Sequence, residues 1–205
     1  MDDVVLRDRK RLTVFVGDYG SGKTGSTNVL RTVGIKAGLL TLATDLGKGA
    51  LPSVVAWLLI HGHSVNAATA GQASAALASV AGHNWPIYVK FKGGRGLAPF
   101  IGGMGAMYWP VALGCSAVLG IGTAALTRYM SLGSIVIIIT FFSAMLGLAI
   151  LDLQPMAYLA YTVAGGGLIL FQHRDNIQRL RTGTERKIGE AAEKVRPLTR
   201  DEAKE

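Results

Sequence analysis

Five apolar stretches, each much longer than a β-strand and joined by short polar connections, constrain this chain more than any other feature. They run over residues 37–60, 65–81, 97–126, 132–151 and 156–171. A helix crossing a bilayer needs about 20 predominantly apolar residues, so several of these qualify alone. The first is interrupted by Asp45 and Lys48, three apart, and the third by Trp109-Pro110. The second is rich in Ala, Ser and Gly, which suits close helix packing inside a bundle better than lipid contact.

Charge orders these segments. Lys and Arg concentrate in 7–36, 90–95, 128 and from 174 onward, whereas the turns 61–64 and 152–155 contain neither. The positive-inside rule puts the basic segments in the cytoplasm and those two turns outside. For 90–95 and Arg128 to share a side, the apolar run between them must cross twice or re-enter. The Trp109-Pro110 break divides it into a short arm near 97–108 and a fuller one near 110–127. The expectation is an all-α, polytopic transmembrane helical bundle of about six membrane helices, with a re-entrant helix as the other form of the short fourth pass. One domain covers 1–190, opening with a charged segment over 1–19. The charged residues 184–205, the last of them (191–205) a separate tail, read as a solvated helix or a disordered end. The net charge of +8 would also suit nucleic acid, but the cations are separated by long apolar runs, so no nucleic-acid partner is expected. The single Cys115 excludes a disulfide or cysteine metal site within one chain, and the N-terminus has no secretory signal.

One motif invites a different reading. Gly17-Asp-Tyr-Gly-Ser-Gly-Lys23-Thr24 fits the phosphate-loop pattern G-x-x-x-x-G-K-[ST] at every fixed position, after a strand-like Leu12-Thr-Val-Phe-Val16. A nucleotide hydrolase of that kind needs a parallel sheet and a second strand ending in an acidic residue for magnesium. The chain instead enters membrane-length apolar segments. A phosphate-binding loop of another kind fits better, since Ser21, Ser26, Thr27, Asn28 and Arg31 follow within a few residues.

Three segments together resemble the bacterial acyl-phosphate-dependent glycerol-3-phosphate acyltransferases. Gly20-Ser-Gly-Lys-Thr-Gly-Ser-Thr-Asn-Val-Leu-Arg31-Thr-Val-Gly34 resembles the family's glycine loop, and Asp45-Leu-Gly-Lys48-Gly49 the motif in its next helix. Gly82-His83-Asn-Trp-Pro86 through Phe91-Lys92-Gly-Gly-Arg95-Gly96 is similar to the second motif. His173-Arg-Asp-Asn176-Ile-Gln-Arg179 and Gly183-Thr-Glu185-Arg-Lys187-Ile-Gly189 are similar to the third. The order and spacing match from residue 20 to 189, all on the expected cytoplasmic face. Lys23-Thr24, Arg95 and Asp175 depart from the usual residues, the last two with charge kept. The family usually carries a membrane helix before the glycine loop; 1–16 is too short and charged to supply one, so the expectation is either a misassigned start or a truncated variant without that helix.

The resemblance implies transfer of an acyl group from acyl phosphate to the 1-hydroxyl of glycerol 3-phosphate, giving lysophosphatidic acid and phosphate. It implies no metal, no cofactor and no acyl carrier, with membrane lipids around a multi-pass protein of the inner membrane. An acyl phosphate is already activated, so the protein must hold two phosphates, aim a hydroxyl and stabilise an oxyanion. The implied catalytic set is Ser21, Lys92, His173 and Asn176. The implied binding set is Gly20, Gly22, Thr27, Asn28, Arg31, Asp45, Lys48, His83, Gly93, Gly94, Arg95, Gly96 and Arg174, the glycines through backbone N–H groups. His173 and Asn176, three apart, share a helix face; His173 either takes the hydroxyl proton or orients a phosphate, and a substrate phosphate is the other base. Asp45 and Lys48 are either functional or paired with each other. His83 is a ligand or a loop hydrogen-bonder, and His61 and His63 have no role. Trp57, Trp85 and Trp109 fall at helix ends, where interfacial anchoring accounts for them. A transporter for a phosphorylated solute is the other membrane class, but its charges should be reachable from both sides. The acyltransferase reading expects tolerance at Lys23 and intolerance at Ser21, Arg31, Lys92 and His173.

Overall fold

The computed structural model describes residues 19–190, and every regular element among them is helical. The strand-like 12–16, Gly17 and the tail 191–205 lie outside the described residues. A short α1 (Ser26–Thr32) leads through Gly34 into α2 (Ile35–Ile60), which turns into α3 (Val65–Asn84). Ser64 caps α3, its hydroxyl accepting from the Ala67 amide at 3.1 Å. After a single 3₁₀ turn, α4 (Leu97–Leu113) runs through a π-helical stretch (Gly114–Gly120) into α5 (Ile121–Thr127). Helices α6 (Met130–Ile150), α7 (Met156–Gln172) and α8 (Arg174–Arg181) complete the bundle. The apolar runs therefore become helices close to the limits expected from sequence.

The bundle is apolar outside and partly polar within. Leu40, Leu59 and Ile150 are each about 70% exposed (67%, 74% and 72%), while Ser53, Thr69, Gln72 and Thr162 are buried. In water such a coat would be an aggregation surface; against lipid tails it loses nothing. Inside, polar groups bond between helices because no water is available to them. Tyr158 donates to Gln72 Oε1 at 2.6 Å, and Gln72 Nε2 donates to the Ala106 carbonyl at 3.0 Å, joining α3, α4 and α7. Around this polar core Phe100, Met104, Phe141, Met145 and Tyr161 are almost fully buried, with Phe100 stacked at a tilt between Phe141 and Tyr161.

Helices α2 and α4 approach closely enough for backbone contact. A Cβ on Gly49 would overlap the Pro99 carbonyl, and one on Gly102 the Leu46 carbonyl. Small residues at membrane-helix crossings allow this approach, and dispersion then replaces the missing hydrophobic drive.

The run from 97 to 127 is a hairpin. Tyr108 leaves helical geometry (φ −152°, ψ 88°) just before Pro110, because a proline ring excludes helical conformation behind it. A Cβ on Gly105 would lie 3.9 Å from the Ala112 Cβ, whereas residues that far apart on a straight helix rise about 10 Å. Both feet of the hairpin stand at one end of the bundle. Arg95, just before it, sits in the field of Glu185. Arg128, just after it, accepts the Ile188 amide at 2.7 Å and donates its own Nη2 to the Ile188 carbonyl at 2.8 Å. The first arm, 97–108, rises only about 18 Å, short of a hydrocarbon core about 30 Å thick. At the other end, Asn66 and the turn 152–156 line one shallow cleft.

The stretch after α8 departs from the sequence expectation at one residue. Residues 184 and 187–190 are exposed, but the stretch is anchored: the Glu185 side chain is only 6% exposed and receives three hydrogen bonds, while Lys187 lies over the Tyr129 ring. A carboxylate with buried donors facing it does not stay in solvent, whatever the charge of its neighbours.

Candidate functional site

The glycine loop is shaped by Asn28. This side chain, 2% exposed, donates to the carbonyls of Tyr19 and Lys23 at 2.9 Å each and accepts the Ser21 amide at 3.1 Å. The resulting turn needs left-handed backbone at Gly20 (φ 60°) and Gly22 (φ 68°), which glycine adopts without penalty. Asn28 thus holds the loop in shape, whereas the sequence reading made it a ligand contact. Ser21 is half-buried and its hydroxyl has no partner among the described residues. Thr27 and Arg31 follow, half-buried, on α1. Burial and then Arg186 lower the Arg31 pKa, with Glu185 and Glu190 opposing, so Arg31 faces the chain around Glu185.

The second loop folds back on the end of α3. The Gly93 amide donates to the Asn84 carbonyl at 3.3 Å and the Gly94 amide to the His83 carbonyl at 3.2 Å. These two amides are thus donated within the protein, whereas the sequence reading gave them to phosphate. Glycine is needed there for another reason: a Cβ on Gly93 would overlap the His83 carbonyl, and one on Gly94 the His83 ring. Gly96 takes φ 85° with Asn84 pressed against it. The two loops touch, since a Cβ on Gly25 would lie 3.9 Å from the Gly94 Cα. Lys92 is exposed on the rim, outside the buried cluster.

Asp45, Lys48 and His83 do come together. Asp45, 2% exposed, pairs with Lys48 at 2.7 Å and lies 3.5 Å from His83 Nδ1. This triplet ties α2 to the end of α3 and supports the second loop from below; of the two sequence readings for Asp45 and Lys48, mutual pairing is what the geometry holds.

The third segment is organised by Glu185, which sequence reasoning left without a role. Its Oε1 accepts Ser131 Oγ at 2.8 Å and Asn176 Nδ2 at 2.6 Å, and its Oε2 accepts Arg179 Nε at 2.8 Å. Burial raises the Glu185 pKa, but the bonds from Asn176, Ser131 and Arg179 prevail and hold it below the ordinary carboxylate value. Asn176 Oδ1 is left buried without a partner. The signal was present in sequence, as Asn176 and Arg179 share a helix face three residues apart, but nothing local announced their common acceptor.

Beside this stands a group of cations that Glu185 and Asp175 balance only from a distance, with no ion pair to either Lys23 or Arg95 among the described residues. Arg95 is pushed down to about 10 by burial and the Arg179 charge, and its Nε is enclosed without a hydrogen bond. Lys23 donates to Gln172 Oε1 at 3.4 Å; burial, then Arg95 and Arg174, lower its pKa. The structure thus brings Lys23, expected to be a bystander, into the cluster, together with the unforeseen Gln172. Arg174 is on the outside, bonded to the Phe171 carbonyl at 3.0 Å and lying over the Phe171 ring.

His173, 3% exposed, joins α7 to α8. Its Nδ1 is 2.9 Å from the Ile169 carbonyl, which can only accept, so the proton is on Nδ1 and the Nε2 lone pair is available. Burial and the Arg95 charge push its pKa down to about 4. The imidazole is neutral at cellular pH. What converges at this end of the bundle is an unsatisfied donor (Arg95 Nε), an unsatisfied acceptor (Asn176 Oδ1), a neutral imidazole and a surplus of positive charge, together suited to a molecule carrying both phosphate and hydroxyl.

The comparisons agree with that chemistry. A family model described as glycerol-3-phosphate acyltransferase matches residues 11–183. Glycerol-3-phosphate acyltransferase 3 of Dehalococcoides mccartyi is 44% identical over 181 residues, 85% of this chain and 83% of that one. The glycerol-3-phosphate acyltransferase of Rubrobacter xylanophilus is 40% identical over 176 residues, 86% and 83% of the two chains. Among solved structures, the glycerol 3-phosphate form of PlsY (YgiH), an integral membrane glycerol 3-phosphate acyltransferase, superposes with a TM-score of 0.76 at 36% identity, covering 86% of this chain and 84% of that one. Its lysophosphatidic acid form gives 0.72 at 37% identity, covering 82% and 81%.

Proposed function

The chain belongs to the glycerol-3-phosphate acyltransferase family, and from that premise we propose that it uses acyl phosphate as donor and performs the transfer at the cluster around Arg95, His173 and Asn176, facing the cytoplasm of a bacterial inner membrane. The observation that carries the site is an enclosed, unbonded Arg95 Nε and an unbonded Asn176 Oδ1 on either side of Glu185, which accepts from Asn176 and acts on Arg95. A buried guanidinium without an anion and a buried carbonyl without a donor each cost free energy, and glycerol 3-phosphate satisfies both, phosphate to the first and hydroxyl to the second.

The residues then divide the work. Arg95 and Arg31 hold phosphate, with Lys92 on the rim meeting incoming anions. Asn176 Oδ1 and His173 Nε2 accept from the 1-hydroxyl and aim its oxygen at the acyl carbonyl. Ser21 Oγ donates to a phosphate or to the oxygen that becomes negative. The hydroxyl oxygen bonds to the carbonyl carbon, the bond from that carbon to the phosphate oxygen breaks, and the hydroxyl proton ends on the departing phosphate. The departing phosphate gains a full negative charge on the oxygen released from carbon and so takes the hydroxyl proton, while the buried His173 imidazole orients the hydroxyl. No covalent nucleophile is required, and an acyl tail lies in lipid alongside the helices.

The test is acyl transfer to radiolabelled glycerol 3-phosphate by purified protein in detergent, with palmitoyl phosphate and palmitoyl-coenzyme A as separate donors. Labelled lysophosphatidic acid is expected from the acyl phosphate alone. Product from the thioester alone would overturn the donor, and an Arg95→Met, Asn176→Ala double variant of undiminished activity would overturn the site.

A further inference from the structure

Lys23 is the cation of the glycine loop, and the transfer reaction above gives it no role. Its ammonium has left the loop for the end of α7, where it meets only the neutral Gln172 Oε1 at 3.4 Å, a long bond for a charged donor. Gln172 is 4% exposed and adjoins His173. The loop carrying Lys23 touches the loop carrying Arg95 through Gly25 and Gly94, and the charges of Arg95 and Arg174 both act on it.

The nearby carboxylates are engaged elsewhere. Glu185 is saturated by Ser131, Asn176 and Arg179. Asp175 is exposed and lies 3.8 Å from Arg174. Asp45 is held by Lys48 and His83. Lys23 and Arg95 are thus like charges brought together around an unbonded, enclosed guanidinium nitrogen; Asp175 acts on both and Glu185 on Arg95, but among the described residues no carboxylate forms an ion pair with either. An arrangement of this kind is stable only when an anion neutralises it.

We propose that Lys23 is a phosphate ligand of this enzyme: when a substrate phosphate enters, the ammonium moves from Gln172 onto it and shares it with Arg95. The proposal rests on the acyl-transfer reading above, and the ligand chemistry is a phosphate dianion, whether of the glycerol phosphate or of the acyl phosphate. Gln172 serves as the resting place that keeps the side chain pointed at the site while empty.

Lys23→Met keeps the length and removes the charge; Lys23→Arg keeps the charge. Losing a charge-assisted bond to phosphate corresponds to roughly 10- to 100-fold in affinity. In Lys23→Met the KM of the phosphate-bearing substrate that Lys23 holds should rise at least about tenfold, with a smaller fall in kcat, and Lys23→Arg should restore most of it. A rise confined to glycerol 3-phosphate assigns Lys23 to the acceptor, and one confined to palmitoyl phosphate assigns it to the donor. A second readout needs no turnover: inorganic phosphate should raise the melting temperature of the wild-type protein in detergent, and of Lys23→Met much less. If wild type makes no product yet phosphate protects it through Lys23, the transfer reading falls and the ligand assignment stands. If wild type is active while Lys23→Met matches it in both KM values and in phosphate protection, Lys23 is no ligand. A lowered melting temperature and kcat with both KM values unmoved would equally overturn the proposal, as Lys23 would then be structural.

Discussion

At the scale of single residues, Glu185 concentrates the most interaction in the fewest atoms. Three side chains from α6 and α8 end on one carboxylate that is 6% exposed, and Asn176, which the proposed mechanism needs, is one of them. Glu185→Gln keeps the shape but turns part of an acceptor-only group toward three donors, so at least one pair becomes donor against donor. Breaking a buried charged network from one side costs about 3 kcal/mol. The variant should melt well below wild type in detergent at neutral pH, with activity lost in step. The pH dependence has a definite sign. Glu185 has a folded pKa below its ordinary value, so its contribution is complete above about pH 4.3 and disappears as pH falls through the folded pKa. The gap between wild type and Glu185→Gln should therefore narrow in acid; a gap that widened in acid would show that Glu185 is protonated in the native protein.

At the scale of helices, the crossing of α2 over α4 is set by glycine. Gly49 and Gly47 lie two apart in α2, yet a Cβ at Gly49 would run into the Pro99 carbonyl while one at Gly47 meets nothing within 4 Å. Gly47→Ala should raise the melting temperature slightly, by the helix-propensity gain of up to about 1 kcal/mol. Gly49→Ala should lower it by more, since backbone must move against backbone. Equal effects at the two positions would refute the close crossing. Most of the elements themselves were legible in sequence, because lipid selects apolar runs of a fixed length and the resulting limits at Ile60, Val65, Ile150 and Met156 are sharp. The break in α4 was legible too, Pro110 placing it within two residues of Tyr108. What sequence concealed were the partnerships. Asn28 looks like a ligand until the Tyr19 and Lys23 carbonyls are seen against it; Gly93 and Gly94 look like phosphate amides until His83 and Asn84 take them. Glu185, in a charged stretch, carried no periodic signal of burial. Such contacts join residues far apart in sequence, and neither composition nor spacing encodes them.

At the scale of the whole molecule, the three motif-bearing segments stand at one end of the bundle because the hairpin of α4 and α5 returns its second foot beside its first. This gives a labelling prediction. In a Cys115→Ala background, an impermeant maleimide added to intact cells should react with cysteines placed at His61 or Asp152 and spare cysteines placed at Lys90 or Arg128, which should react only after the membrane is opened. Opposite reactivity of Lys90 and Arg128 would mean that the hairpin is a single crossing. The end that carries His61, Asn66 and Asp152 contains no lysine or arginine between 61 and 66 or between 150 and 156. The consequence concerns how the protein is made rather than how it works. Moving a lysine or arginine through hydrocarbon is the expensive part of threading a loop across a bilayer, and neither of the two loops that travel in the proposed orientation carries one. In the proposed orientation, sidedness can therefore be decided segment by segment as the ribosome delivers the chain, with the cations proposed to gather the substrates acting first as the anchors that refuse to cross.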